Sequence, residues 1–141
     1  MEILSQITGL VNAGTTSKYL AKHVAKRLCV SEYDAYAERH ANRQVWHETG
    51  RDIRREDPGI LLREALAVGP LTGGIRDLEE VKAARELGCF VVWIENPRVP
   101  PDPTIKFDLF DCDFALENKG TISDYRSQLT RLAIACGLLR G

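Results

Sequence analysis

The chain has no charge of one dominant sign: 19 Lys and Arg stand against 20 Asp and Glu, a formal net charge of −1. A global field strong enough to gather nucleic acid or an anionic membrane is thereby excluded. Nor is there an apolar run of bilayer-spanning length, so no membrane partner is expected. Cysteine is scarce and scattered. Cys29, Cys89, Cys112 and Cys136 form no C-x-x-C pair, which favours separate structural thiols in a reducing cytoplasm over zinc ligands or a disulfide framework. His23, His40 and His47 do not make up the missing ligands. Internal repeats and low-complexity tracts are lacking too, which excludes a repeat architecture.

What is there is an ordinary globular composition, 44% apolar and 28% charged over 141 residues. That length suits one domain spanning residues 1–141 with a core of its own. Met1 leads into an apolar segment with no secretory pattern, so the expected location is the cytoplasm. Glu2–Thr8, apolar at positions 3, 4 and 7, is read as the first strand. From Thr16 the pattern turns helical, with Tyr19, Leu20, Val24 and Leu28 recurring every three or four residues. Ser31 opens a long polar helical segment reaching about Arg55, and Asp57-Pro58 stops it and starts another.

Pro70–Asp77 is a glycine-interrupted strand candidate that feeds an amphipathic helix from Leu78 to Leu87, closed by Gly88. Cys89–Glu95 is the clearest strand, its apolar run suited to a central parallel strand covered on both faces. A loop with prolines at 97, 100, 101 and 103 follows, then a short strand at Asp113–Leu116 and a final helix from Thr121 to Leu139. This alternation predicts an α/β fold, a three-layer sandwich around a mainly parallel sheet.

One segment carries chemistry in its spacing. Gly9-Leu-Val-Asn-Ala-Gly-Thr-Thr16 has the glycines and terminal hydroxyl of the phosphate-binding pattern G-x-x-x-x-G-K-[ST], with Thr15 in place of the lysine. Two glycines let backbone N–H groups curl around a phosphate, and the hydroxyl meets Mg²⁺. Gly9, Asn12, Ala13, Gly14, Thr15 and Thr16 are therefore candidate nucleotide-binding residues, with Thr16 the candidate metal ligand. A tight strand-to-helix turn would ask for the same glycines. Lys18, one turn into the helix, is the candidate replacement cation, although a side chain there more often faces solvent.

Arg43, Arg54 and Arg55 with Asp57 are candidates for an acceptor site, since a planar guanidinium suits bidentate phosphate recognition. A salt-bridge network at a helix end explains the same residues, and both readings stand. Arg76 follows a strand and is expected at the carboxyl edge of the sheet, where ligand crevices of α/β folds open. With Lys18 it is the candidate catalytic cation. Asn118 and Gly120 build a turn.

Four stretches in this order resemble the deoxynucleoside monophosphate kinase-like proteins of bacteriophages, a branch of the P-loop nucleotide kinases. They are Trp46-His-Glu-Thr-Gly-Arg-Asp-Ile-Arg-Arg-Glu-Asp-Pro58, Gly73-Gly-Ile-Arg-Asp-Leu-Glu-Glu-Val81, Val92-Trp-Ile-Glu95 with its proline-rich loop, and Asp111-Cys-Asp-Phe-Ala-Leu-Glu-Asn-Lys-Gly-Thr121. With the N-terminal loop the resemblance covers most of the chain, and residues 17–41 match least. It implies a P-loop kinase-like fold, ATP with Mg²⁺, and a (deoxy)nucleoside monophosphate acceptor. It further implies that residues 10–16 cradle the donor, that Arg54, Arg55 and Arg76 clamp phosphates, and that Asn118 and Gly120 lie near the base.

Two departures fall on charge neutralisation. Thr15 replaces the lysine, and Gly73-Gly74 stands where such kinases carry an acidic residue. Phosphoryl transfer is catalysed mostly by positioning and electrostatics, so these are costly losses. Two expectations result. One is an enzyme moving the γ-phosphate of ATP to a nucleoside monophosphate. The other is a catalytically inactive kinase-like module that binds or sequesters a nucleotide, or acts through a homodimer or a host-protein partner.

Overall fold

The amphipathic segments become seven helices and four short strands in a computed structural model that describes all 141 residues. The result is mixed α/β, with 52% of residues in helix and short parallel strands. The chain divides into two compact units. Ala13–Gly74 forms one, and Met1–Asn12 with Ile75–Gly141 forms the other. None of the helices is long and apolar enough to cross a membrane.

In the unit Ala13–Gly74, strand β1 (Asn12–Thr15) pairs with β2 (Leu71–Gly73). The Thr72 hydroxyl adds a bond to the Gly14 carbonyl at 2.8 Å. Four helices follow β1: α2 (Thr16–Leu28), α3 (Glu32–Ala37), α4 (Arg43–Glu56) and α5 (Ile60–Leu66). The helical period of α2 buries Leu20, Ala21, Val24 and Ala25. They form one core with Ala35, Trp46 and Leu61, each large side chain contributing on the order of 1.5–3 kcal/mol of burial. The Ser31 hydroxyl caps α3 by accepting the Asp34 N–H at 3.0 Å.

The single helix expected from Ser31 to Arg55 is two. Arg39 stacks its guanidinium 4.2 Å from the Tyr36 ring centroid and donates to the Tyr36 carbonyl at 2.9 Å. The Arg39 N–H reaches the same carbonyl at 3.3 Å, three residues back, and α3 ends in this tighter turn. The stop at Asp57-Pro58 is as expected: the Asp57 carboxylate accepts the Gly59 N–H at 3.2 Å and turns the chain into α5.

In the other unit, the strand expected at Glu2–Thr8 is instead helix α1 (Glu2–Thr8). Apolar residues at 3, 4 and 7 fit one helical face as well as a strand, and Gly9 decides the matter. At φ 73° it adopts the left-handed cap conformation and donates its N–H to the Ser5 carbonyl at 2.8 Å. Helix α6 (Leu78–Glu86) begins at Asp77, whose side chain accepts the Glu80 N–H at 2.9 Å, and ends before Gly88 at φ 79°.

Strand β3 (Val92–Glu95) pairs in parallel with β4 (Phe114–Glu117), Val92 opposite Phe114 and Glu95 opposite Glu117. The covered central strand expected at Cys89–Glu95 is therefore corrected: β3 belongs to a two-stranded sheet, and Ile94 is 45% exposed. Helix α7 (Ile122–Ala135) opens on a capping box between Thr121 and Asp124, buries Leu129, Leu132 and Ala133, and packs with α1.

Candidate functional site

Residues 9–16 do not form the expected loop. Gly9 closes α1, Asn12–Thr15 is strand β1, and α2 begins at Thr16, so strand meets helix at the Thr15–Thr16 bond. A strand thus occupies the segment whose amides were expected to wrap a phosphate chain. Thr16 is 1% exposed, and its hydroxyl donates to the Gly74 carbonyl at 2.9 Å. Gly74 sits at φ 89°, and a Cβ there would lie 2.8 Å from Thr16 Oγ1. Only glycine meets both demands at that position.

The start of α2 nevertheless keeps an anion-binding character. Thr15 makes no side-chain cap bond, so the N–H groups of the first turn are left to solvent or a ligand. Lys18 is exposed and folds its stem over β1, where a Cβ on Gly14 would lie 3.3 Å from Lys18 Cδ. Its ammonium has no carboxylate partner and lies 5.8 Å from the Tyr19 ring centroid. The Tyr19 hydroxyl in turn donates to the Ala13 carbonyl at 2.5 Å, tying helix to strand.

The expected acceptor cluster is not assembled on α4. Arg43 and Arg55 are exposed at opposite ends of that helix, about 18 Å apart along its axis. Arg54 is half-buried against Gly50, where a Cβ would lie 2.6 Å from Arg54 Nη1. Asp57 pairs with Arg63 of α5. The hydrogen bond from Arg63 leads in holding the Asp57 carboxyl below its usual range, with the Gly59 N–H adding to it. Of the two readings for this segment, the salt bridge at the helix end describes Asp57.

Arg76, in the other unit, ties down the proline-rich loop. Its Nη1 donates to Asp102 Oδ2 at 2.7 Å and to Thr104 Oγ1 at 2.8 Å. Its own N–H donates to Glu80 Oε1 at 2.9 Å, and its carbonyl accepts the Lys106 N–H at 2.8 Å. Asp102 is lowered to about 2, first by the Thr104 hydroxyl, then by the Thr104 N–H and by Arg76. Arg98 clamps the turn at the other end of the loop, donating to the carbonyls of Asn118, Lys119 and Gly120. The Asn118 N–H donates to the Glu95 carbonyl at 2.7 Å. Asn118 and Gly120 are thus elements of a clamped turn.

No family model, curated protein or solved structure matches this chain. The chemistry must be read from the side chains alone. No three His, Cys, Asp or Glu side chains converge as metal ligands. Burial pushes the thiols of Cys89, Cys112 and Cys136 up from their ordinary value, which makes them poor nucleophiles. Sequence reasoning missed Arg98, Asp102 and Thr104. Asp102-Pro-Thr104 was readable: an Asp two residues before a free N–H favours a local side-chain turn, and Asp102 Oδ1 accepts the Thr104 N–H at 2.9 Å.

Proposed function

We propose that the chain is a nucleotide-binding module of the P-loop kinase-like kind, a three-layer α/β sandwich in the finer reading of its fold, that holds a (deoxy)nucleotide by its phosphates without transferring one. The observation that carries the reading is the start of α2: a first turn with no side-chain cap, beside an unpaired Lys18 bent over Gly14. Helix N–H groups and a nearby ammonium together favour a phosphate anion. The order of the four kinase-like stretches supports a nucleotide as the molecule carrying that phosphate.

The residues do not suit Mg²⁺ at this place. The Thr16 hydroxyl is buried and committed to the Gly74 carbonyl, and glycines occupy 73 and 74. No step through a metal is derived. Nucleotide binding then serves sequestration or a protein partner in the cytoplasm. The order of the same four stretches also supports a second reading, an active nucleoside monophosphate kinase.

Calorimetric titration with ATP, with and without Mg²⁺, tests both readings, followed by assays of phosphate transfer to each deoxynucleoside monophosphate. The module binds ATP with little dependence on Mg²⁺, shows no turnover, and loses about tenfold in affinity on Lys18→Ala. Turnover abolished by Thr16→Ala would establish the kinase instead. Absence of binding to every nucleotide would overturn both readings.

A further inference from the structure

The proline-rich loop between β3 and β4 contains two turns of one kind. The Val99 N–H donates to the Asn96 carbonyl at 3.0 Å and the Ile105 N–H to the Asp102 carbonyl at 3.2 Å, with Pro97 and Pro103 in second place. The opening side chain locks each turn: Asn96 Oδ1 accepts the Arg98 N–H at 3.1 Å, and Asp102 Oδ1 accepts the Thr104 N–H at 2.9 Å. Between them the chain runs from Pro100 to Asp102 without a bend. Proline chemistry dictates that course. Pro100, Pro101 and Pro103 have φ fixed at about −65°, and Val99, Pro100 and Asp102 each precede a proline, which keeps them out of the helical region. Every residue from Val99 to Pro103 is thereby restricted toward polyproline II backbone.

This strap is pinned at both ends and open in the middle. Arg98 holds the carbonyls of Asn118, Lys119 and Gly120, while Arg76 holds Asp102 and Thr104. Residues 97–103 are nevertheless all exposed, Val99 at 58%. The carbonyls of Val99, Pro100 and Pro101 accept no hydrogen bond within the chain. Polyproline II repeats every three residues, so Val99-Pro100 and Asp102-Pro103 present their proline rings on one side, about 9 Å apart.

We propose that this strap is the docking site of a protein partner that reads polyproline II backbone in an aromatic-lined groove. Tyrosine and tryptophan side chains of such a groove pack on proline rings and donate to the open carbonyls between them. Both features face solvent here. The two turns and the two arginines already order the strap, so little conformational freedom is lost on docking. Charge selects the partner as well. Asp102 is paired with Arg76, whereas Arg98 has no carboxylate partner in the chain. The strap therefore presents a positive charge, and the matching groove has an acidic rim. This docking site stands apart from the nucleotide reading and needs no nucleotide.

Calorimetric titration of the full chain with a panel of isolated SH3 domains bearing acidic groove rims tests the proposal, and amide shifts of the isotope-labelled chain locate the contact. At least one domain is expected to bind with a Kd of about 1–100 µM, shifting the Val99 and Asp102 amides. Replacing both Pro100→Ala and Pro103→Ala weakens that binding at least about tenfold, with the thermal midpoint checking that the fold survives. Val99→Glu keeps every proline, sets a carboxylate against the acidic rim and gives a similar loss, which guards against a loop defect in the double variant. Failure of every domain in the panel to bind overturns the proposal. So does binding that the double variant and Val99→Glu both leave unchanged, or binding whose shifts all lie outside residues 96–105.

Discussion

Ala13–Gly74 keeps its apolar side chains inside, whereas Met1–Asn12 with Ile75–Gly141 leaves many of them in water. The first unit supplies ten of the buried core residues and four of the exposed large apolar ones; the second supplies six and eleven. Phe110, 86% exposed, and Ile122, 78% exposed, both belong to the second. Charge divides the same way, with ten basic and eight acidic residues in the first unit against nine and twelve in the second. The helical unit thus closes on a core and carries a slight positive excess. The other unit leaves aromatic rings and aliphatic side chains in water.

The sharpest way to break this contrast is a truncation in each unit. Leu61 is 0% exposed in the helical core, so Leu61→Ala lowers unfolding free energy by about 2–5 kcal/mol. Phe110→Ala changes it by no more than about 0.5 kcal/mol. Urea denaturation of both variants measures the gap. Equal losses would show that exposed rings carry as much stability as the core.

Helix caps give a finer comparison. Thr121 has a reciprocal partner, because Asp124 Oδ2 accepts the Thr121 N–H at 2.8 Å while Thr121 Oγ1 accepts the Asp124 N–H at 3.1 Å. Ser31 has only the forward bond to Asp34. Thr121→Ala therefore costs about 1–2 kcal/mol and Ser31→Ala about 0.5–1 kcal/mol, read from thermal midpoints. An opposite order would show that propensity around α3 outweighs the capping geometry.

The helical unit also contains a backbone strain that the other lacks. Cys29 closes α2 at φ 56°, the one non-glycine residue with positive φ. Cys29→Gly stabilises the chain by up to about 1 kcal/mol by relieving the Cβ clash. A lower thermal midpoint would show that the Cys29 side chain contributes more than this strain removes.

The smallest effect is electrostatic. Asp102 has an ordinary value of 3.8 and is lowered to about 2 in the fold. A depressed carboxyl contributes stability that is fully present above its unfolded value and is lost as pH falls through its folded value. The Asp102 contribution is thus complete above about pH 5 and fades between about pH 4 and pH 2. Asp102→Asn removes that slope, so the variant and the parent chain converge in stability near pH 2. Denaturant titrations at several acidic pH values detect this, and parallel curves across the window would rule it out.

Much of the secondary structure was legible because local chemistry and tertiary packing agree. The Ser31 cap, the stop at Asp57-Pro58, the stripe of α2, the Gly88 end of α6 and the Thr121 start of α7 are all local signals. Glu2–Thr8 was misread because seven residues with apolar positions 3, 4 and 7 satisfy both periods. Gly9 was assigned to a phosphate loop when its local role is to end a helix. The candidate site was less legible, since side-chain partners across long separations leave no periodic trace. That Thr16 turns inward to the Gly74 carbonyl, 58 residues away, or that Arg63 takes Asp57, follows from the fold and not from spacing.

The clamp formed by Arg98 bears on how a protease meets this chain. Trypsin needs the cationic head of its target side chain withdrawn into a deep pocket and the flanking backbone drawn out straight. Arg98 is exposed, yet its guanidinium already holds the carbonyls of Asn118, Lys119 and Gly120, and Pro100 and Pro101 stiffen the segment after it. A cut after Arg98 therefore requires the clamp to open first, so its cleavage rate reports on the loop's opening equilibrium and not on surface accessibility.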